Sequence, residues 1–212
     1  VAIATVPALI TWYFCLNKLA LNRPAPGTQR AWPAITILNN VSNQPAPSFI
    51  TSERIEELAN GSFDHRDSDV WIVTYPKSGT TWLQVLVSSL VGFRVCGTSE
   101  WEMRLCCPWP ERALGNAALS LEDLRKMPSP RCLKSHWPWR DHHSAPGRGR
   151  VIFMMRNVFD VAMSYYKHYV DCHLLFDFHG EWNDFFTLFA AGDVGSGNYF
   201  DFLATWWPRR QD

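Results

Sequence analysis

The chain has 212 residues, enough for one α/β domain with a sizeable core, and 47% of them are hydrophobic, eleven being Trp. Lys plus Arg and Asp plus Glu each number 20, so the formal net charge is zero, and the basic excess of a nucleic-acid groove is absent. The six cysteines stand at positions 15, 96, 106, 107, 132 and 172 with no C-x-x-C pair, a spacing that argues against a zinc site and a disulfide framework and suits buried, reduced thiols in a cytosolic compartment.

Val1 to Leu16 is uncharged and mostly apolar until Asn17 and Lys18 interrupt it. It is shorter than the ~20 residues that span a bilayer, and a membrane anchor completed upstream, a signal segment and a buried element all fit it. Lys18, Arg23 and Arg30 follow, and positive flanks favour the cytosolic side. The first residue is Val1 and not Met, and the last element has no stop signal, so the chain reads as a fragment. Asn22 to Ser48 is rich in Pro, Asn, Ala and Gly, the composition of a linker or an irregular wrapping segment. Thr51 and Ser52 before Glu53 have the pattern of a capped helix, stopped at Asn60-Gly61. The chain thus divides into an apolar segment at 1–21, a linker at 22–50 and a domain at 51–212.

Val70 to Phe93 (VWIVTYPKSGTTWLQVLVSSLVGF) predicts a strand, a tight loop and a helix start. Val95 to Pro110 reads as irregular and aromatic. Ser120 to Lys126 predicts one or two turns of surface helix, ended by Pro128, and Arg131 to His136 a short strand stopped at Trp137-Pro138. A polar loop follows from Asp141 to Gly149, then a second buried strand at Arg150 to Met155. Asn157 to Tyr169 predicts a helix with Asp160, Ser164 and His168 on one face. Trp182 to Ala191 predicts an amphipathic helix ended by Gly192, and Tyr199 to Trp207 starts another. Strands alternating with helices predict a parallel, doubly wound sheet.

The loop after the first of these strands carries chemistry. N–H groups at a helix start have no intrahelical acceptor and the helix dipole is positive there. Lys77 adds a charge, Ser78, Thr80 and Thr81 add hydroxyls, and Gly79 allows close backbone approach. The result is a cradle for phosphate or sulfate. It is not a Walker A loop, because Lys77 precedes the only Gly. Two further strand ends carry polar residues, Lys134-Ser135-His136 and Arg156-Asn157, and such ends gather ligands at the carboxyl edge of a parallel sheet.

With TYPKSGTTWL at Thr74 to Leu83, LKSH at Leu133 to His136, RNVFDVAMSYY at Arg156 to Tyr166, and GDVGSGNYFDFLATWW at Gly192 to Trp207, the chain resembles the cytosolic-type sulfotransferase family over about residues 60 to 207. The resemblance implies an α/β fold with a parallel sheet flanked by helices, P-loop-like, and incomplete at the C-terminus, where the family continues with a further strand, helices and an Arg-Lys-Gly segment over the donor. It implies PAPS (3′-phosphoadenosine 5′-phosphosulfate) as donor and PAP as product, with no metal. Lys77, Ser78, Gly79, Thr80 and Thr81 would cradle the 5′-phosphosulfate, Trp82 would stack on adenine, and Arg156 with Ser164 would hold the 3′-phosphate. His136 would be the general base, with a pKa near working pH, and Lys77 and Lys134 would stabilise charge on the transferring group. The acceptor would be a small phenol, alcohol or amine, in a pocket that Trp137, Trp139, Tyr165 and Phe63 could line. The location would be cytoplasmic, or membrane-anchored through 1–21, and the oligomeric state is not legible. Two other readings stand beside this one: a catalytically silent module that binds PAP or PAPS, and an ATP-dependent small-molecule kinase, against which the place of Lys77 speaks.

Overall fold

The computed structural model describes residues 35–37, 45–90, 99–115, 117–139, 149–172, 176 and 178–209. The apolar segment at 1–21 and the loop carrying His142 and His143 lie outside the described residues.

Strands β1 (Ile35–Ile37) and β2 (Pro45–Pro47) pair antiparallel within the stretch expected to be irregular. The prolines there cannot donate to a ladder, which suits an edge ribbon. Ala46 and Ile50 are buried against Ile55 and Trp137. Helix α1 (Ser52–Ala59) starts as expected, with the Thr51 side chain accepting from the Arg54 N–H at 3.3 Å and Ile55 and Leu58 turned inward.

The remaining elements follow in order: β3 (Val70–Thr74), α2 (Thr80–Leu90), α3 (Glu100–Cys106), α4 (Leu121–Lys126), β4 (Cys132–Ser135), β5 (Arg150–Met154), α5 (Val158–Asp171), α6 (Trp182–Ala191) and α7 (Tyr199–Trp206). Helix α3 lies where an irregular stretch was expected. Its start signal is a capping box in which the side chain of Ser99 accepts from the Glu102 N–H and that of Glu102 from the Ser99 N–H. Ser120 and Asp123 form the same device on α4. Helix α6 ends at Gly192, whose φ of +83° fits the left-handed cap and whose neighbour Asn198 leaves no room for a Cβ.

The sheet runs β4-β3-β5, and both pairings are parallel, Val70 lying opposite Cys132 on one side and Arg150 on the other. Residues of β3 alternate between faces. Trp71 and Val73, with Leu133, join the core built by α4, α5, α6 and α7, where Leu124, Tyr165, Tyr169, Phe185 and Phe202 are fully buried or nearly so. Ile72 and Cys132 pack on the opposite face against Leu83 and Val87 of α2. Helices therefore cover both faces, and each strand ends at the same edge. β5 departs from its expectation as a buried strand. It is the edge of the described sheet, with an outer face half-open to solvent and Val151 38% exposed.

The turn before β3 is held by an ion pair with no solvent contact, Arg131 Nη2 to Asp69 Oδ2 at 2.6 Å. Arg131 also donates to the Leu124 carbonyl at 3.1 Å, which joins α4 to the strand edge. The expectation that the cysteines are reduced is corrected at Cys106, which is disulfide-bonded, whereas Cys107 and Cys132 are free thiols.

Candidate active site

The strand-to-helix loop is fixed from both ends. Tyr75 is buried in a ring cluster with Tyr165, Tyr199 and Phe202 and donates its hydroxyl to the Gly197 carbonyl at 2.7 Å. The chain then turns through Lys77, whose φ of +68° is left-handed, and Gly79, whose φ of +103° is open mainly to glycine. A Cβ on Gly79 would press on Met154 at 3.3 Å. A non-glycine residue held at positive φ is strain of the kind found at ligand clamps. The Ser78 hydroxyl oxygen is buried and has no hydrogen-bond partner among the described residues. An orphaned donor in a loop that ends on a helix N-terminus fits a phosphate or sulfate oxygen. Thr80 is buried and its hydroxyl lies 2.6 Å from that of Thr74, while Thr81 is exposed at the first turn. Burial lowers the Lys77 ammonium below the usual lysine range, with Arg156 acting in the same sense and Cys172 and Asp171 opposing it.

His136 sits one residue beyond β4, almost fully buried. Its Nδ1 lies 2.7 Å from the Thr74 carbonyl oxygen. A carbonyl only accepts, so Nδ1 carries the hydrogen and Nε2 keeps the lone pair. Its pKa is pushed down to about 3, first by burial, then by Lys134, with His168 and Lys77 adding to the effect and the Thr74 hydrogen bond opposing it. This corrects the expectation of a pKa near working pH, and the ring is neutral there. The indole of Trp109 meets the His136 ring edge-on at 5.0 Å and carries Lys134 Nζ over its face at 4.4 Å. Sequence reasoning passed over Trp109, which reaches the site only because the Lys134 N–H donates to the Pro108 carbonyl at 2.9 Å.

Glu111 was also missed. It has no solvent contact and its Oε1 accepts from the Ser135 hydroxyl. Ser135 Oγ in turn accepts from the Trp137 N–H at 3.0 Å, so the pair brackets His136. Burial raises the Glu111 carboxyl to about 7, against the opposing pull of the Ser135 hydrogen bond and of Lys134 and Arg54.

Arg156 follows β5 and donates from Nη1 to the Lys77 carbonyl at 3.0 Å, which joins the third strand end to the cradle. Its Nε lies 3.7 Å from Asp160. Ser164 lies half-buried on α5, about two helical turns further on. Trp82 is 54% exposed on α2. His168, on the Ser164 face, has its pKa pushed down to about 3 by burial first and then by Lys77 and Lys134. The aromatic residues expected to line an acceptor pocket lie elsewhere. Phe63, Tyr165 and Trp137 are buried, and Trp139 packs on Trp206, because each faces a hydrophobic cluster rather than the strand ends. Trp206 is likewise core and donates Nε1 to the Trp137 carbonyl at 3.1 Å.

Three strand ends thus bring a phosphate-type cradle, a neutral histidine of fixed tautomer and two lysines to one edge of a parallel sheet. The sulfotransferase domain profile matches residues 67–212. Sulfotransferase 1B1 of Mus musculus is 33% identical over 172 residues, which is 76% of this chain and 53% of that protein. Sulfotransferase 4A1 of Homo sapiens is 34% identical over 167 residues, 75% of this chain and 55% of that protein. Among solved structures, mouse sulfotransferase SULT7A1 complexed with PAP matches with a TM-score of 0.61 and 24% identity, covering 79% of this chain and 56% of the other. Retinol dehydratase in complex with retinol and PAP matches at 0.60 and 18%, covering 76% and 57%. The chain belongs to the sulfotransferase family. It spans about half the length of the curated relatives it matches, 53% and 55% for the two named here. Among the described residues no helix is long and apolar enough to cross a membrane.

Proposed function

We propose that the chain carries the donor cradle and the base of a PAPS-dependent sulfotransferase that sulfonates a hydroxyl or amine of a small acceptor, a phenol or alcohol in the first instance. The observation that carries this reading is His136, a neutral ring with Nδ1 committed to Thr74 and Nε2 left as acceptor, beside Lys134 and at the edge of the Lys77–Thr81 loop.

The donor, when bound, supplies a sulfonate joined to a good leaving group. Ser78, Thr80, Thr81 and the first-turn N–H groups of α2 would hold its 5′ end. Arg156 and Ser164 would hold the 3′-phosphate, a task for which the guanidinium fork is suited. Trp82 would offer its exposed face to the adenine. His136 Nε2 takes the proton of the attacking hydroxyl, and Lys77 and Lys134 oppose the charge that develops on the leaving and transferring oxygens. The low pKa of His136 arises partly from these two lysines. Negative charge brought beside them offsets that effect, so the ring becomes a better proton acceptor once the donor is in place. A cytoplasmic location accords with this reading, and PAP is bound in both similar solved structures named above, beside retinol in the second.

The test is sulfonate transfer from labelled PAPS to a panel of phenols, steroids and amines by this chain. Transfer that disappears in His136→Ala supports the proposal. Tight PAP binding without transfer to any acceptor would replace it with a donor-binding module.

A further inference from the structure

Outside the residues assigned to sulfonate transfer, two cysteine side chains, Cys107 and Cys132, meet across the sheet's second face. Both thiols are free and fully buried, and their sulfurs are 2.7 Å apart. We propose that they form an oxidative modification site, at which a hydroperoxide closes a disulfide between the end of α3 and the start of β4. This site stands independently of the proposed transfer activity.

Both backbones are tied into ordered elements. Cys132 is laddered opposite Val70 in the parallel sheet. Cys107 caps α3 through its N–H to the Met103 carbonyl at 2.8 Å, and its own carbonyl accepts from Gln84 Nε2 at 2.8 Å. A disulfide of about 2.05 Å requires each sulfur to shift by about 0.3 Å.

A cavity adjoins the pair. Cys107 lines a cavity of about 80 Å³, with Arg104, Arg112, Lys134 and Trp109 among the other lining residues. That space admits a molecule of the size of hydrogen peroxide, since a single water needs only ~10–15 Å³ on the same measure. Burial holds the Cys107 thiol well above its usual range, while Lys134 acts in the opposite sense. The reaction is therefore slow and is favoured by proximity rather than by thiolate population. Cys107 as thiolate attacks one peroxide oxygen, giving a sulfenic acid and, with the released proton, one water. Cys132 then attacks that sulfur and a second water leaves, so two electrons pass from the thiols to the peroxide. The cross-link would tie the segment that carries Trp109 and Glu111 to the strand that carries Lys134, and hold that wall of the candidate site in a single position.

The decisive experiment treats the whole chain with hydrogen peroxide, quenches in acid, alkylates under denaturing conditions and maps the cysteines by tandem mass spectrometry, which separates Cys107 from Cys106. The expected result is joint loss of alkylation at Cys107 and Cys132, a linked peptide pair that dithiothreitol reopens, and a melting temperature higher by on the order of 5–10 °C. In Cys132→Ala the same treatment should leave Cys107 as a sulfenic acid that dimedone captures. If both thiols stay alkylatable, or Cys132 is found linked to a different cysteine, the proposal is overturned, and the unsubstituted chain alone decides this should Cys132→Ala fail to fold.

Discussion

The Nδ1 of His136 lies 2.7 Å from the carbonyl oxygen of Thr74, across the parallel pairing of β4 with β3. A backbone acceptor at the end of the central strand thus sets the tautomer of the ring, and among the described residues no side-chain carboxylate takes part. Thr74 Oγ1, 3.4 Å from the same nitrogen, is engaged at 2.6 Å by Thr80, so strand, cradle and base are joined through one residue.

His136→Ala should lower turnover by about 10²–10⁴-fold, the usual worth of a positioned general base, while PAP affinity by calorimetry stays nearly unchanged. A similar fall in PAP affinity would place the ring in donor binding.

Arg156→Ala should weaken PAP binding by roughly ten- to a hundredfold, in line with ~1.5–3 kcal/mol for a hydrogen bond to a charged group. Adenosine 5′-phosphosulfate, which lacks the 3′-phosphate, should lose much less. Because Arg156 also holds the Lys77 carbonyl at 3.0 Å, equal losses for the two ligands would assign the residue to loop support alone.

Trp82 is 54% exposed, and its removal leaves no cavity. Trp82→Ala should therefore keep the melting temperature within a degree or so, surface substitutions being usually within ±0.5 kcal/mol. Loss of a stacked base should weaken adenine-nucleotide binding by about 1–3 kcal/mol. Unchanged nucleotide affinity would remove Trp82 from the donor site.

Glu111 gives a pH signature. Its carboxyl is raised to about 7 in the folded chain from an ordinary 4.5. Between those values the folded state holds a proton that the unfolded state has released, so the stability it contributes is fully present below pH 4.5 and is lost as pH rises through about 7. Glu111→Gln has no such group. The melting temperature of the original chain should fall relative to Glu111→Gln between about pH 4.5 and 7. His136, with its lowered pKa of about 3, destabilises both proteins as pH falls below 6.5 and cancels in the difference. Parallel melting profiles would contradict the burial of an ionisable Glu111.

Asp69→Ala leaves Arg131 charged and without its carboxylate in a dry site. The loss should be about 3–5 kcal/mol, whereas a paired Asp69→Leu, Arg131→Met replacement should be much less harmful. Urea titration of the single and double variants measures both.

The strand–loop–helix at Val70 to Leu90, the short strand before His136 and the helix after Arg156 were legible because each depends on local pattern: β-branched runs, a capping residue, a glycine at positive φ. The helix at Glu100–Cys106 was missed although its Ser99–Glu102 box is local, since an aromatic, proline-flanked stretch masked a short element. What the linear order could not contain is which buried side chains meet. Trp109 and Glu111 carry no motif and join the site only because Pro108 hydrogen-bonds to β4. Trp137, Tyr165 and Phe63 looked available for a ligand and are core, because the sheet turns them toward hydrophobic clusters. The pKa of His136 was likewise misjudged from residue type, since desolvation and two lysines set it. The linear order carries the residue types at the strand ends and hence the chemistry available. Tertiary structure decided which of them share a dry, charged edge, because burial and electrostatics depend on distance in space and not on separation along the chain.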